Sequence, residues 1–521
     1  MRCLMTSRTQ FNTARHSCER RTPVTGSQEK FSRVLRATAP LELDSCVRRN
    51  DEGGRVRLQS MRFVISLHFS LLALGFTPYS AMAQQQQVSP STTAKSGEEE
   101  GLTGSVTAVG DWQSLGIAIP AFPTDRPVQT GADGGNTEAL GRNLARVVFS
   151  DLKDNGLFKP TGPDALPGIG YGEVTAPAFA GWRARSAEML VQGFVKGGAD
   201  GRLTVGCYLY DVALGKELVR QGYVVKPEEW RRAAHKCADM VYSRLSGESP
   251  FFDSKIAYIA ETGPKGHRRK QLAIMDSDGA NHRFVTNGQA IALTPRYSPD
   301  YRQIAYLSYL DGRPRIYVYD IGTGQQRLVT ATKGPTFAPR WSPDGKYILY
   351  SMAVAGNTDI WRVPATGGES HRLTNTPGIN IGGSYSPDGS RIVFESDRGG
   401  SQQVYVMNAD GSGQHRISFF GGRAATPEWS PRGDQIAFTC ICGNLRIAVM
   451  DPEGHDRRFL TDSWQDEAPT WSPNGRIIQF FRTERGNGHT SIWQVDLTGR
   501  NERRLKTPVD ASDPAWGPVL P

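Results

Sequence analysis

Serine and aspartate recur together along the second half of this 521-residue chain, in a pattern that in a single copy would suggest acid–base chemistry. The segments are Ser298-Pro299-Asp300-Tyr301, Ser342-Pro343-Asp344-Gly345, Ser386-Pro387-Asp388-Gly389, Ser430-Pro431-Arg432-Gly433 and Ser472-Pro473-Asn474-Gly475, with serine spacings of 44, 44, 44 and 42. Repetition argues against catalysis, because similar units stacked in an array do not each need the same carboxylate. Ser at the first position, Pro at the second and Gly at the fourth suit a type I turn, so the aspartates are read as turn formers. Other reactive side chains fare no better. His282, His371 and His415 recur at equivalent places. His235, on a helix, and His267, in a basic loop, are read as solvated rather than as ligands. There is no His-Glu-x-x-His zinc motif and no Gly-x-x-x-x-Gly-Lys phosphate loop. The expectation is a protein without catalytic residues, metal or cofactor.

The elements around these turns repeat too. An aromatic residue precedes each one (Tyr297, Trp341, Tyr385, Trp429, Trp471), and Pro514-Ala515-Trp516-Gly517-Pro518 is a worn last copy. An apolar strand follows each turn, as in Ile348–Ser351, then a third strand, as in Ile360–Val363. A polar fourth strand carries Arg283, Arg327, Arg372, Arg416, Arg458 or Arg504, and charge there discourages edge-to-edge pairing. Repeats of this length predict propeller blades. The strands Lys255–Ala260 and Leu272–Asp276 open the array without an aromatic turn, and the Trp516 copy ends it without following strands. Together they make one blade, so residues 251–521 are expected to form a six-bladed all-β propeller. The leading enzymatic alternative is the propeller of a peptidase or of a channel-cofactor enzyme. A propeller peptidase needs a Gly-x-Ser-x-Gly elbow; the nearest match, Gly382-Gly383-Ser384-Tyr385-Ser386, lacks the last glycine and lies inside a blade. A structural cation in the channel stays open.

Residues 101–250 read as a smaller α/β domain. A strand at Leu115–Pro120 precedes a helix near Glu138–Asp154, whose Leu140, Leu144, Val147, Val148 and Leu152 share one face. Strands Met189–Val195, Leu203–Tyr210 and Glu217–Val225 follow, then a second helix from about Pro227 to Gly247. Helices on one side of a small mixed sheet fit this order. Cys207 and Cys237 both point to the core, either as a disulfide or as two buried thiols. Cys440 and Cys442, two apart on a strand, sit at the limit of disulfide reach and are read as free thiols unless the chain bulges.

The first hundred residues differ in kind. Residues 1–60 hold twelve basic and six acidic side chains, whereas residues 84–521 carry only +2 of the total +9, too little for a polyanion-binding footprint. Met61-Arg62, the apolar run Phe63–Phe76 and Ala81-Met82-Ala83 have the three parts of a secretory signal peptide, residues 61–83, cut before Gln84. Residues 1–60 are then a spurious or atypical extension, and 84–100 a polar disordered linker.

The α/β region followed by six such repeats resembles the TolB family across nearly all of 101–521. The segments that carry the resemblance are Asp151–Phe158, Glu395–Gln403, Val406–Gly411 and Asp513-Pro514-Ala515-Trp516. The resemblance implies a periplasmic, non-enzymatic adaptor of the Tol–Pal system. It would bind the lipoprotein Pal through the propeller and TolA through its N-terminal segment, for outer-membrane integrity and envelope invagination at cell division. No nucleic acid and no direct membrane insertion are expected, and the protein should be a monomer. The loops from each outer strand to the next inner strand (287–294, 331–338, 375–382, 419–426, 462–468, 507–513) differ between blades and crowd one channel mouth. Asn287, Lys333, Phe337, Asn380, Arg423, Trp464, Asp466 and Glu467 are the expected Pal contacts. Leu102, Val106, Val109 and Trp112 are the expected TolA contacts, by strand addition to a sheet edge, with a plain linker as the alternative.

Overall fold

A computed structural model describes residues 114–131, 135–264, 267–332 and 334–521. The signal-peptide reading and the expected TolA contacts Leu102, Val106, Val109 and Trp112 lie outside the described residues, as does Lys333.

The smaller region is a five-stranded mixed sheet in the order β2-β1-β3-β4-β5. Its strands are β1 (Leu115–Ala118), β2 (Phe158–Thr161), β3 (Met189–Gly197), β4 (Leu203–Asp211) and β5 (Lys216–Val225). β1 runs parallel to β2 and β3, and β3, β4 and β5 are antiparallel. Helix α1 (Thr137–Asp154) starts where Asn136 Oδ1 accepts the Ala139 amide at 2.9 Å, and it buries the predicted stripe. A single helical turn, α2 (Phe179–Arg183), was not foreseen. Its Trp182 covers the opposite sheet face against Leu190 and Tyr210, so the sheet is not covered from one side only. Helix α3 (Trp230–Ser246) ends at Gly247 in the left-handed conformation, φ 71°. A disulfide between Cys207 and Cys237 ties β4 to α3, resolving that pair in favour of the bridge.

The propeller has six four-stranded antiparallel blades. From the inner strand outward, blade 1 is Ala292–Tyr297, Gln303–Ser308, Arg315–Asp320 and Gln326–Leu328. Blade 2 is Thr336–Trp341, Tyr347–Val354, Asn357–Pro364 and His371–Arg372. Blade 3 is Asn380–Tyr385, Arg391–Ser396, Gln403–Asn408 and His415–Arg416. Blade 4 is Arg423–Trp429, Ile436–Cys442, Asn444–Met450 and Arg458–Phe459. Blade 5 is Asp466–Trp471, Ile477–Thr483, Thr490–Asp496 and Arg503–Arg504. Blade 6 joins the last strand, Asp510–Val519, to Ser254–Thr262, Arg269–Asp276 and Arg283–Phe284, so first and last strands close the ring as expected.

The recurrent serines and aspartates are spent on the turns. Ser342 Oγ donates to Asp344 Oδ1 (2.6 Å) and accepts the Tyr347 amide (2.9 Å), while Asp344 accepts the Lys346 amide (3.1 Å). Gly345, Gly389, Gly433 and Gly475 sit at positive φ, and Tyr301 adopts the same conformation at φ 65°, its ring stacked on Tyr297. The aromatic before the turn knits neighbouring blades: the Trp341 indole donates to the Arg296 carbonyl and that of Trp471 to the Glu428 carbonyl, each at 3.1 Å.

One expectation fails in blade 4. Cys440 and Cys442 are joined as a disulfide, not free. The hairpin turns at Gly443, φ 89°, with Cys442 paired to Asn444, and the tight turn draws the two Cα atoms to 5.5 Å, within bonding reach.

Candidate protein-binding face

The blade meander sorts every connection to one of two faces. Turns between the first and second strands and between the third and fourth lie on one face, the turn face. Hairpins between the second and third strands, and the loops leading to the next blade, lie on the other, the loop face.

The α/β domain occupies the turn face at blades 4 to 6. Glu248 pairs with Arg432 at 2.8 Å and with Arg476. Asn474 Nδ2 donates to Tyr242 Oη and to the Ser249 carbonyl, each at 3.1 Å. Asp154 pairs with Arg503 at 2.8 Å, and Arg231 with Asp276 and Asp278. Asp239, buried on α3, accepts the amides of Phe251, Phe252 and Asp253 at 2.7–2.9 Å and so fixes the connection between domains.

Among the described residues the contacts of that domain with the propeller are to the turn face, and the loop face carries exposed apolar side chains. Phe419 is 76% exposed, Val354 50% and Trp464 47%, with Ile291 and Leu310 also exposed. Arginine lies over the aromatics: Arg485 is 4.8 Å from the Trp464 ring and Arg416 is 4.9 Å from Phe419. Exposed aromatics with arginine beside them are what protein interfaces enrich.

Within this face each inner strand is built alike. Thr294, Ala338, Gly382, Thr426, Ala468 and Asp513 all have positive φ, and the pairing register slips there in every blade. Such a bulge turns the local amide away from the ladder. Side chains then take it up: Thr294 N donates to Asp513 Oδ2 (3.2 Å), Thr426 N to Glu395 Oε2 (2.6 Å) and Ala468 N to Thr439 Oγ1 (3.3 Å).

Two residues beyond the bulge, the strands bridge the axis. Glu428 of blade 4 lies 3.3 Å from Arg340 of blade 2 and 3.7 Å from Arg296 of blade 1, and accepts from Thr470 of blade 5 at 2.9 Å. Burial, then the neighbouring Arg296, pulls the Arg340 guanidinium down to about 9 despite Glu428. In this Arg–Glu–Arg bridge one carboxylate is shared by two arginines across the axis.

The bulges also explain where the expected contacts fall. The predicted loops run to the bulge residue, but the inner strands begin before it, so residues just ahead of the bulge are already inside the propeller. Asn380 is buried, its Oδ1 accepting from Ser396 Oγ and Arg398 Nη2, each at 2.7 Å. Asp466 is buried against Arg482, with Nε–Oδ1 at 2.6 Å. Glu467 is buried and accepts from Gln465 at 2.6 Å; desolvation raises its carboxyl to about 7, helped by Asp513 and Asp466. Phe337 is buried in the apolar cluster of blades 1 and 2. These four side chains serve the interior. Asn287, Arg423 and Trp464 are at the surface.

The sequence reading missed Phe419, Ile291, Leu310 and Val354. Phe419 lay within a predicted loop, and its apolar pair Phe419-Phe420 beside Gly421-Gly422 was the available signal. Leu310 and Val354 sit on the hairpins that share this face, outside the predicted loops. His235 is also misplaced by the sequence reading: it is buried, not solvated, because α3 packs it between α1 and blade 6.

The family model of the TolB beta propeller domain matches residues 242–520, and that of the TolB amino-terminal domain matches 102–218. The chain is 74% identical over 453 residues to Tol-Pal system protein TolB 1 of Novosphingobium aromaticivorans, and 62% identical over 453 residues to Tol-Pal system protein TolB of Zymomonas mobilis. In both cases 87% of this chain and 98% of the relative are covered. The crystal structure of TolB from Acinetobacter baumannii matches with a TM-score of 0.68 at 30% identity, covering 78% of this chain and 97% of that one.

Proposed function

This chain belongs to the TolB family of the Tol–Pal system, and from that premise we propose that it is a periplasmic, non-catalytic adaptor that binds Pal on the loop face of the propeller. The observation that carries the reading is the polarity of the propeller. The α/β domain holds the turn face of blades 4 to 6, while Phe419, Trp464 and Val354 stand exposed on the other face. Asn287, Arg423 and Trp464 are the contacts retained from the sequence, joined by Phe419, Ile291, Leu310 and Val354. The segment 101–112, with Leu102, Val106, Val109 and Trp112, is the proposed TolA contact, after export through the signal peptide 61–83. The role is to couple the inner-membrane partner to the outer membrane, for envelope integrity and invagination at division. Calorimetry of the purified protein with Pal of the same organism tests this. The reading requires saturable one-to-one binding; no binding would refute it.

A further inference from the structure

The seam between the α/β domain and blade 6 holds a cluster that partner binding leaves unused. His235 on α3 is 2% exposed. Its Nδ1 lies 2.7 Å from Asp151 Oδ2 on α1, and its Nε2 is buried without a hydrogen-bond partner. Facing it from the turn of blade 6 are Asp276 and Asp278. A His235 ring nitrogen and one carboxylate oxygen of each aspartate lie within 4.8 Å of one another. Asp151 holds Nδ1, so Nε2 is the nitrogen left for that pair.

We propose that this seam binds a divalent transition-metal ion, best matched by zinc, through His235 Nε2 and the carboxylates of Asp276 and Asp278. Imidazole with carboxylates is a zinc donor set. Asp151 supplies the outer carboxylate that orients the ring and leaves Nε2 free as the ligand. The ligand carboxylates are themselves held: the Ala280 amide donates to Asp278 at 3.1 Å, and Asn281 Nδ2 donates to Asp276 at 2.7 Å.

A cation already stands at this pair. The Arg231 guanidinium reaches both aspartates, with Nε 3.3 Å from Asp276 Oδ2, and Lys255 adds a contact to Asp276. The carboxylates therefore require positive charge, and a metal must displace Arg231 to supply it. A cavity of about 320 Å³ beside the cluster makes this feasible. Arg231 and Asp276 line it, so it reaches the ligands from outside. Glu228 and Glu229 line it too and offer the displaced guanidinium new partners. Because the ligands come from both domains, the ion would pin α3 to blade 6. This inference is independent of how Pal or TolA binds.

The full chain, stripped with EDTA, is titrated with zinc chloride by calorimetry. One equivalent should bind. His235→Gln should weaken binding at least tenfold, whereas Arg231→Gln should tighten it at least tenfold by removing the competing cation. The opposite signs separate ligation from misfolding, which only weakens. Anomalous scattering at the zinc edge should place the ion about 2.0–2.1 Å from Nε2. No stoichiometric zinc, unchanged affinity in His235→Gln, or weakening by both substitutions would overturn the proposal. The cluster would then be an organic ion network with His235 as an imidazolium.

Discussion

Replacing Trp464 with alanine separates binding from folding more cleanly than any other single change on the loop face. The ring is 47% exposed and belongs to none of the apolar clusters of blades 4 and 5; its cationic neighbour is Arg485, at 4.8 Å. A tryptophan side chain presents up to about 250 Å², so roughly 120 Å² remains for a partner to cover. At about 25 cal/mol per Å², that area is worth about 3 kcal/mol, or roughly a hundredfold in Kd. Stability should fall far less, by about 1 kcal/mol or below, because the ring supports no core and the loop backbone keeps its own bond, Leu445 N to the Trp464 carbonyl at 3.3 Å. The assay is calorimetry with Pal alongside urea unfolding of the same preparation. A folded variant with unchanged affinity would remove Trp464 from the interface and with it the argument from exposed aromatics.

Three further outcomes follow from the interior. Glu428→Gln should destabilise the propeller by about 3–5 kcal/mol in urea unfolding, since two buried arginines lose their counter-charge; a loss under 1 kcal/mol would mean the channel bridge is solvated. Glu467 should make stability pH-dependent in an unusual direction. Its folded carboxyl titrates at about 7, above the unfolded value, so it is ionised at a cost above pH 7 and that cost is relieved as pH falls toward 4.5. Glu467→Gln should therefore gain about 1–3 kcal/mol at pH 8 and little at pH 5, and equal effects at both would contradict the assignment. The disulfides should also rank by loop length. Opening Cys207–Cys237, which are 30 residues apart, should cost about 3.5 kcal/mol, and opening Cys440–Cys442, two apart, about 1.5 kcal/mol, measured with paired alanine substitutions.

The sequence by itself was enough for the architecture. The Ser-Pro turns with their preceding aromatics determine blade number, strand order and closure, because turn chemistry and alternating burial are local. They also mark the recurrent aspartates as turn formers, a role that the hydrogen bonds of Ser342 and Asp344 display. The α1 stripe is equally local. What only the tertiary structure decided is which side chains face outward. Asn380, Asp466 and Glu467 look like loop residues, since polarity and variability are all a sequence displays there. The inner strands begin two or three residues before the bulge and so bring them inside, where Arg398, Arg482 and Gln465 satisfy them. His235 is the same lesson at the domain seam: Asp151, 84 positions away, and Asp276 are brought to it only by packing. The Cys440–Cys442 bond depends on the roughly 1 Å that one hairpin removes from the extended two-residue Cα spacing. Short-range pattern carries the fold, while burial and charge pairing depend on contacts distant in the chain, which no spacing rule encodes.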